Sequence, residues 1–161
     1  MTELRISRLE TLAEAEFCAR MMAASEPWLT LGRGSEALLK ALQNPAREAF
    51  LAKSEAEIAG VVLINLQGAF NGYIQSVCVA PLWRNRGFGE RLMSFAEEFI
   101  FRQSPNVFLC VSSFNTGAQK FYRRLGYTEI GVLKDYLVSG CDEILMRKTR
   151  GPLVGYQPEA A

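Results

Sequence analysis

The most informative run of apolar and polar positions lies between Tyr73 and Ile100. Tyr73 to Ala80 carries Tyr, Ile and three Val or Cys positions, the composition of a buried strand. Pro81 cannot continue a ladder, so the strand ends there. From Glu90 the apolar positions are Leu92, Phe95, Ala96, Phe99 and Ile100, which follow helical spacing. Arg84 to Gly89 is the turn between the two. Its glycines sit where a turn feeds a helix N-terminus. That geometry aims free backbone N–H groups and the positive end of the helix dipole at one spot, which suits a phosphate. On their own, two glycines read as well as a turn needing positive φ.

The rest of the chain divides by the same rules. Leu4 to Leu9 opens it as a strand. Thr11-Leu12-Ala13-Glu14 has capping-box spacing and starts a helix running to about Ala24. Ser25 to Gly34 breaks the pattern and reads as a loop, after which Ser35 caps a short helix through Leu38, Leu39 and Leu42. Glu48 to Lys53 and Ile58 to Leu66 form a hairpin across a short polar link, and Gly68 to Gly72 turns into the central strand. Ser104-Pro105-Asn106 ends the long helix, Val107 to Ser112 is a strand, and Ala118, Phe121, Tyr122 and Leu125 mark a further helix closed by Gly126. Tyr127 to Val138 and Asp142 to Lys148 are the last two strands. The order is β-α-α-β-β-β-α-β-α-β-β, so the class is α/β or α+β with a mixed sheet. Residues 1–150 make one domain and 151–161 a loose tail.

Composition narrows the chemistry. Hydrophobic residues make up 49% of the 161, enough for a core, and the net charge of +1 argues for neither nucleic acid nor an anionic membrane as partner. No apolar run reaches bilayer length and the N-terminus lacks a signal-peptide core, so a cytoplasmic protein is the default expectation. Histidine is absent, which excludes Ser-His-Asp and Cys-His mechanisms and His-bearing metal sites; no metal is expected. Cys18, Cys78, Cys110 and Cys141 form no C-x-x-C pair and read as reduced thiols.

The turn is neither a Walker loop nor a dinucleotide fingerprint, since no Gly-Lys-Ser/Thr follows and Leu92 stands where a third glycine belongs. Arg84-x-x-Gly87-x-Gly89 after a Val-x-Val-x-Pro strand resembles the acetyl-CoA pyrophosphate loop of the GNAT superfamily of N-acetyltransferases. A second block, Asn115 to Tyr127 with its Phe121-Tyr122 pair and Leu125-Gly126-Tyr127 exit, is similar to that family's later helix. The resemblance implies a twisted, mostly antiparallel sheet whose strands at Tyr73–Ala80 and Val107–Ser112 splay apart to admit acetyl-CoA, with an amine as the other partner and a homodimer allowed for. It implies that amides of Arg84, Asn85, Arg86, Gly87, Phe88, Gly89 and Glu90 hold the pyrophosphate, with charge-assisted help from Arg84 and Arg86; Arg86 reads equally as a solvated turn residue. Val77 and Val79 would pair with the pantetheine arm, and Val79 N–H would donate to the thioester carbonyl. Asn115 would contact the arm, a role compatible with capping its helix.

Tyr122 matches the family's general acid, seven positions beyond Asn115; on spacing alone it reads as core. A phenol titrating near ~10 stays protonated at neutral pH and protonates a thiolate. The base is where the chain departs. Enzymes that acetylate protein N-termini often carry Glu where this chain has Cys110, and the central strand offers only Tyr73, Gln75 and Ser76. The base is therefore unassigned: the alternatives are a water chain held by Gln75, Ser76 and backbone carbonyls, or Glu26 on the early loop, which reads first as a solvated loop carboxylate. The acceptor side draws on Glu26, Trp28 and Arg33 of that loop and on Tyr136, in a hairpin resembling that of N-terminal peptide acetyltransferases. Trp28 reads equally as a core anchor, and Tyr136 as a cover for the sheet. Two functions stay open: acetyl transfer to a peptide α-amine or small amine by direct attack in a ternary complex, and a non-catalytic acyl-CoA-binding or regulatory module. A nucleotide-binding domain is a third.

Overall fold

Thr11 caps the first helix as its sequence asks. Its hydroxyl accepts from Glu14 N while the Glu14 carboxylate accepts from Thr11 N, closing the capping box of α1 (Leu12–Ala23). In the computed structural model, which describes residues 3–160, α1 and α2 (Ser35–Leu42) cover one face of a seven-stranded sheet. Gly34 rather than Ser35 caps α2, and Ser35 is its first residue. The other face carries α3 (Phe88–Phe101), packed on the sheet through Leu92, Met93, Ala96 and Ile100, and α4 (Thr116–Arg124) beside it.

The strands are β1 (Leu4–Arg8), β2 (Glu48–Ser54), β3 (Glu57–Asn65), β4 (Tyr73–Val79), β5 (Asn106–Ser112), β6 (Thr128–Val138) and β7 (Cys141–Thr149). Their order across the sheet is β1-β2-β3-β4-β5-β7-β6, and every neighbouring pair is antiparallel except β4 with β5. β3 is buried on both faces: Val61 and Leu63 meet the α1–α2 side, and Val62 and Ile64 the α3 side. That is why Val61-Val62-Leu63-Ile64 is apolar without alternation.

Two features set up the site. Between β3 and β4 the register slips, so that Leu63 faces Ser76 while Ile64 faces Ile74, and Gln75 is the extra residue of a bulge. Ile74, Val77 and Val79 therefore share the α3 side although the first two are three positions apart. The second feature is a gap. β4 and β5 pair only at Tyr73↔Phe108 and Ile74↔Leu109, yet β4 runs on to Val79 and β5 to Ser112. Beyond Leu109 the two strands part.

Residues 151–160 form neither helix nor strand, and the Tyr156 hydroxyl donates to Phe101 O at 2.6 Å. Among the described residues no helix is long and apolar enough to cross a membrane.

Candidate active site

The turn after β4 begins with a short 3₁₀ segment, Pro81–Trp83, which the apolar pattern did not signal. Asn85 and Gly87 then take left-handed backbone conformations, at φ 58° and 78°. Gly87 caps α3, which starts at Phe88 rather than Glu90, without any side-chain cap. The first internal helical bond is Arg91 N to Gly87 O at 3.1 Å, so the amides of Phe88, Gly89 and Glu90 have no acceptor within the helix. This is a ring of free donors at the positive end of a helix of 14 residues.

Side chains around the turn brace it. Arg84 Nε donates to Val79 O at 2.9 Å and its guanidinium reaches Ser25 Oγ at 3.0 Å, tying the end of β4 to the early loop. Arg86 lies over the Trp83 ring, whose other neighbour is the buried Phe88. A Cβ on Gly89 would meet the Phe121 ring of α4 at 3.4 Å, about van der Waals contact. Glu90 places a carboxylate in the first turn, where Arg124 of α4 partners it at 3.3 Å.

The Ala80 amide donates to Ala59 O at 2.8 Å, toward β3. Strand alternation then turns the amides of Val77 and Val79 the other way, toward the gap. The gap opens into a cavity of about 480 Å³. Val77, Asn115 and Tyr122 line it, as do Trp28, Gln75 and Tyr136. Asn115 caps α4 by accepting from Ala118 N at 3.3 Å and also faces this cavity. The Tyr122 ring is wedged between Phe121 and Tyr127. Burial raises its phenol above the ordinary value near 10, so it stays protonated.

On the acceptor side, Trp28 is both core and lining: it is 8% exposed and packs with Leu38 and Leu63. Gln75, thrown outward by the bulge, accepts from Arg47 Nε at 2.8 Å. Tyr136 is 58% exposed at the rim. The structure does not bring Glu26 to the cavity. Its carboxylate accepts from Thr30 N at 3.2 Å and Thr30 Oγ1 at 2.7 Å, closing the turns of its own loop. Cys110, in the position of the expected base, has its thiol raised by burial and stays neutral.

Among the lining residues that sequence reasoning missed are Glu143, Ser112 and Arg47. Glu143 and Ser112 face each other across β7 and β5, joined by a hydrogen bond of 2.6 Å, and Arg47 enters from the loop before β2. The one signal for Glu143 was a carboxylate set directly beside the apolar run Ile144-Leu145-Met146 of β7. Among the described residues no group of acidic or sulfur side chains is placed to hold a metal.

A glycine turn of free amides thus leads into a gap between parallel strands, and Tyr122 is among the residues lining the cavity there. The Acetyltransferase (GNAT) family model matches residues 9–127, and the chain belongs to that family of N-acetyltransferases. It is 29% identical over 149 residues to the N-alpha-acetyltransferase RimI of Mycobacterium tuberculosis, covering 88% of this chain and 90% of that one. It shares its fold with the ribosomal-protein-S18-alanine N-acetyltransferase of Escherichia coli (18% identity, TM-score 0.73, 96% and 99% of the two chains). An aminoglycoside 6'-N-acetyltransferase solved with coenzyme A has the same fold (20% identity, TM-score 0.72, 92% and 98%).

Proposed function

We propose that this protein transfers the acetyl group of acetyl-CoA to a primary amine, by direct attack in a ternary complex, and that its acceptor is the α-amine of a peptide. One observation carries the cofactor half of this reading: the free amides at the start of α3 and those of Val77 and Val79 form a continuous donor track from the turn into the gap. Phosphate oxygens suit the first set, and the amide-bearing pantetheine arm suits the second. Arg84 serves as a brace that keeps the end of β4 in place, and Asn115 offers its amide nitrogen to the arm while its oxygen caps α4. Val79 N–H donates to the thioester carbonyl, where charge develops as the amine adds. Tyr122 protonates the departing sulfur.

Two observations support a peptide α-amine over a polyamine. The relative from Mycobacterium tuberculosis, which spans most of the chain, is named for that activity. Arg33 and Arg47 line the cavity, and a polycation would meet their charge.

Calorimetry with acetyl-CoA, followed by thiol release against a panel of N-terminal peptides, spermidine and kanamycin, tests the whole reading. Acetyl-CoA binds, and peptides release thiol faster than the other acceptors. Tyr122→Phe keeps acetyl-CoA affinity within about two-fold and lowers kcat by roughly 10-fold to 100-fold, in the range of a lost general acid. Absence of acetyl-CoA binding refutes the function, and near-parental turnover in Tyr122→Phe removes that residue's role.

A further inference from the structure

Glu143 is only 3% exposed, and on β7 it sits opposite Ser112 of β5. The Ser112 hydroxyl donates to Oε1 at 2.6 Å. Oε2 receives no hydrogen bond from the described residues and is not among the sealed polar atoms, and Glu143 lines the cavity. Arg33 and Arg47 are the other charged side chains around that cavity, and Glu143 is its one carboxylate. Glu97 is also buried, but Tyr127 and Lys148 engage both of its oxygens. Among the described residues Glu143 alone pairs burial and a free carboxylate oxygen with a place in the lining that Tyr122 shares.

We propose that Glu143 is the general base that frees the acceptor amine, an assignment that rests on the acetyl-transfer reading above. The acceptor arrives as an ammonium ion and gives one proton to Oε2. The neutral amine uses its lone pair to form the C–N bond at the thioester carbonyl, whose π pair moves to oxygen. Collapse of the adduct breaks the C–S bond; Tyr122 protonates the sulfur, and its tyrosinate recovers the proton shed by the new amide nitrogen. Glu143 returns its proton to solvent. The sum is one amide, one thiol and one released proton.

The surroundings fit a base. Tyr73 of β4 and Cys110 of β5 are the titratable neighbours of Glu143 on the packed strands, and Tyr136 of β6 lies beside Tyr73. Burial raises both Tyr73 and Cys110, so both stay neutral. Burial also raises the Glu143 carboxyl, with the Ser112 hydroxyl partly opposing it, and no basic side chain is among the causes. A carboxylate moved upward toward neutrality is a stronger base.

Glu143→Gln keeps the size of the side chain and its acceptor for Ser112. In the full chain with acetyl-CoA and a peptide bearing N-terminal alanine, kcat/KM falls by ~100-fold or more at neutral pH. The loss shrinks as pH approaches the amine's own ionisation, and calorimetric affinity for acetyl-CoA stays within about two-fold. Ser112→Ala removes a donor from the charged carboxylate, so the acidic limb of the pH–rate profile moves to higher pH. A turnover-independent readout is carbon NMR of glutamate side chains in the CoA-loaded protein, the Glu143 signal being identified by its response to Ser112→Ala. That signal shifts when n-propylamine is added. No shift with the amine, or Glu143→Gln turnover within about three-fold of parent on an unchanged pH profile, overturns the assignment. Failure of the parent to bind acetyl-CoA overturns the underlying function instead.

Discussion

Burial raises the Glu143 carboxyl above its ordinary value because loss of water opposes the charge more than Ser112 supports it. The folded value thus lies above the unfolded one, so the native state takes up its proton first as pH falls. Stability conferred through this group therefore grows as pH drops from the folded value toward ~4.3 and is lacking at neutral pH. Glu143→Gln is expected to raise the thermal midpoint at neutral pH while lowering activity; a lower midpoint would mean that the charge supports the fold. Glu14 is the opposite case. Lys53 and the backbone amides of Glu10 and Thr11 hold its carboxyl down at about 2, and its task is to fasten α1. Glu14 was legible because a capping box is local. Glu143 was not, since its meaning depends on β7 lying against β5, a pairing of residues 31 apart in sequence.

Two glycines separate what the helix–strand junction needs from what the ligand needs. A Cβ on Gly60 of β3 would stand 2.8 Å from Cys78 O and 2.8 Å from Leu92 Cδ1, so this glycine sets how closely α3 sits on the sheet. Gly60→Ala is expected to lower stability by ~1–3 kcal/mol, as overpacking does, in chemical denaturation. Gly87 has open space where its Cβ would be, but a φ of 78°. Gly87→Ala is expected to lower stability by only ~1 kcal/mol while weakening acetyl-CoA binding measurably by calorimetry, because the ring of amides rests on that backbone. An equal effect of both on binding would contradict the division. The turn itself was readable from Pro81, Arg84, Gly87 and Gly89. The bulge at Gln75 was not, since β4 carries no glycine or other local mark where the register slips.

The sheet is two slabs, β1 to β4 and β5 with β7 and β6, joined by two residue pairs. α3 holds them together by packing on β3, β4 and β5, and Glu97 of that helix is clamped to Lys148 of β7 and to Tyr127. The amides of Val77 and Val79 are therefore expected to exchange quickly in the free protein although their strand is central. Saturating acetyl-CoA should slow them and stabilise the chain by about 2.7 kcal/mol at one hundred times Kd. Unchanged exchange at both positions on binding would mean that the cosubstrate does not lie along β4.

Peptide groups stranded inside a protein ask for partners of their own kind. A purely hydrocarbon occupant of the split between the slabs would leave Val77 and Val79 unanswered, whereas a chain punctuated by amides completes the weave as an extra, borrowed strand. Choice among thioester carriers is then governed by how well each imitates a polypeptide, and greasiness counts for little.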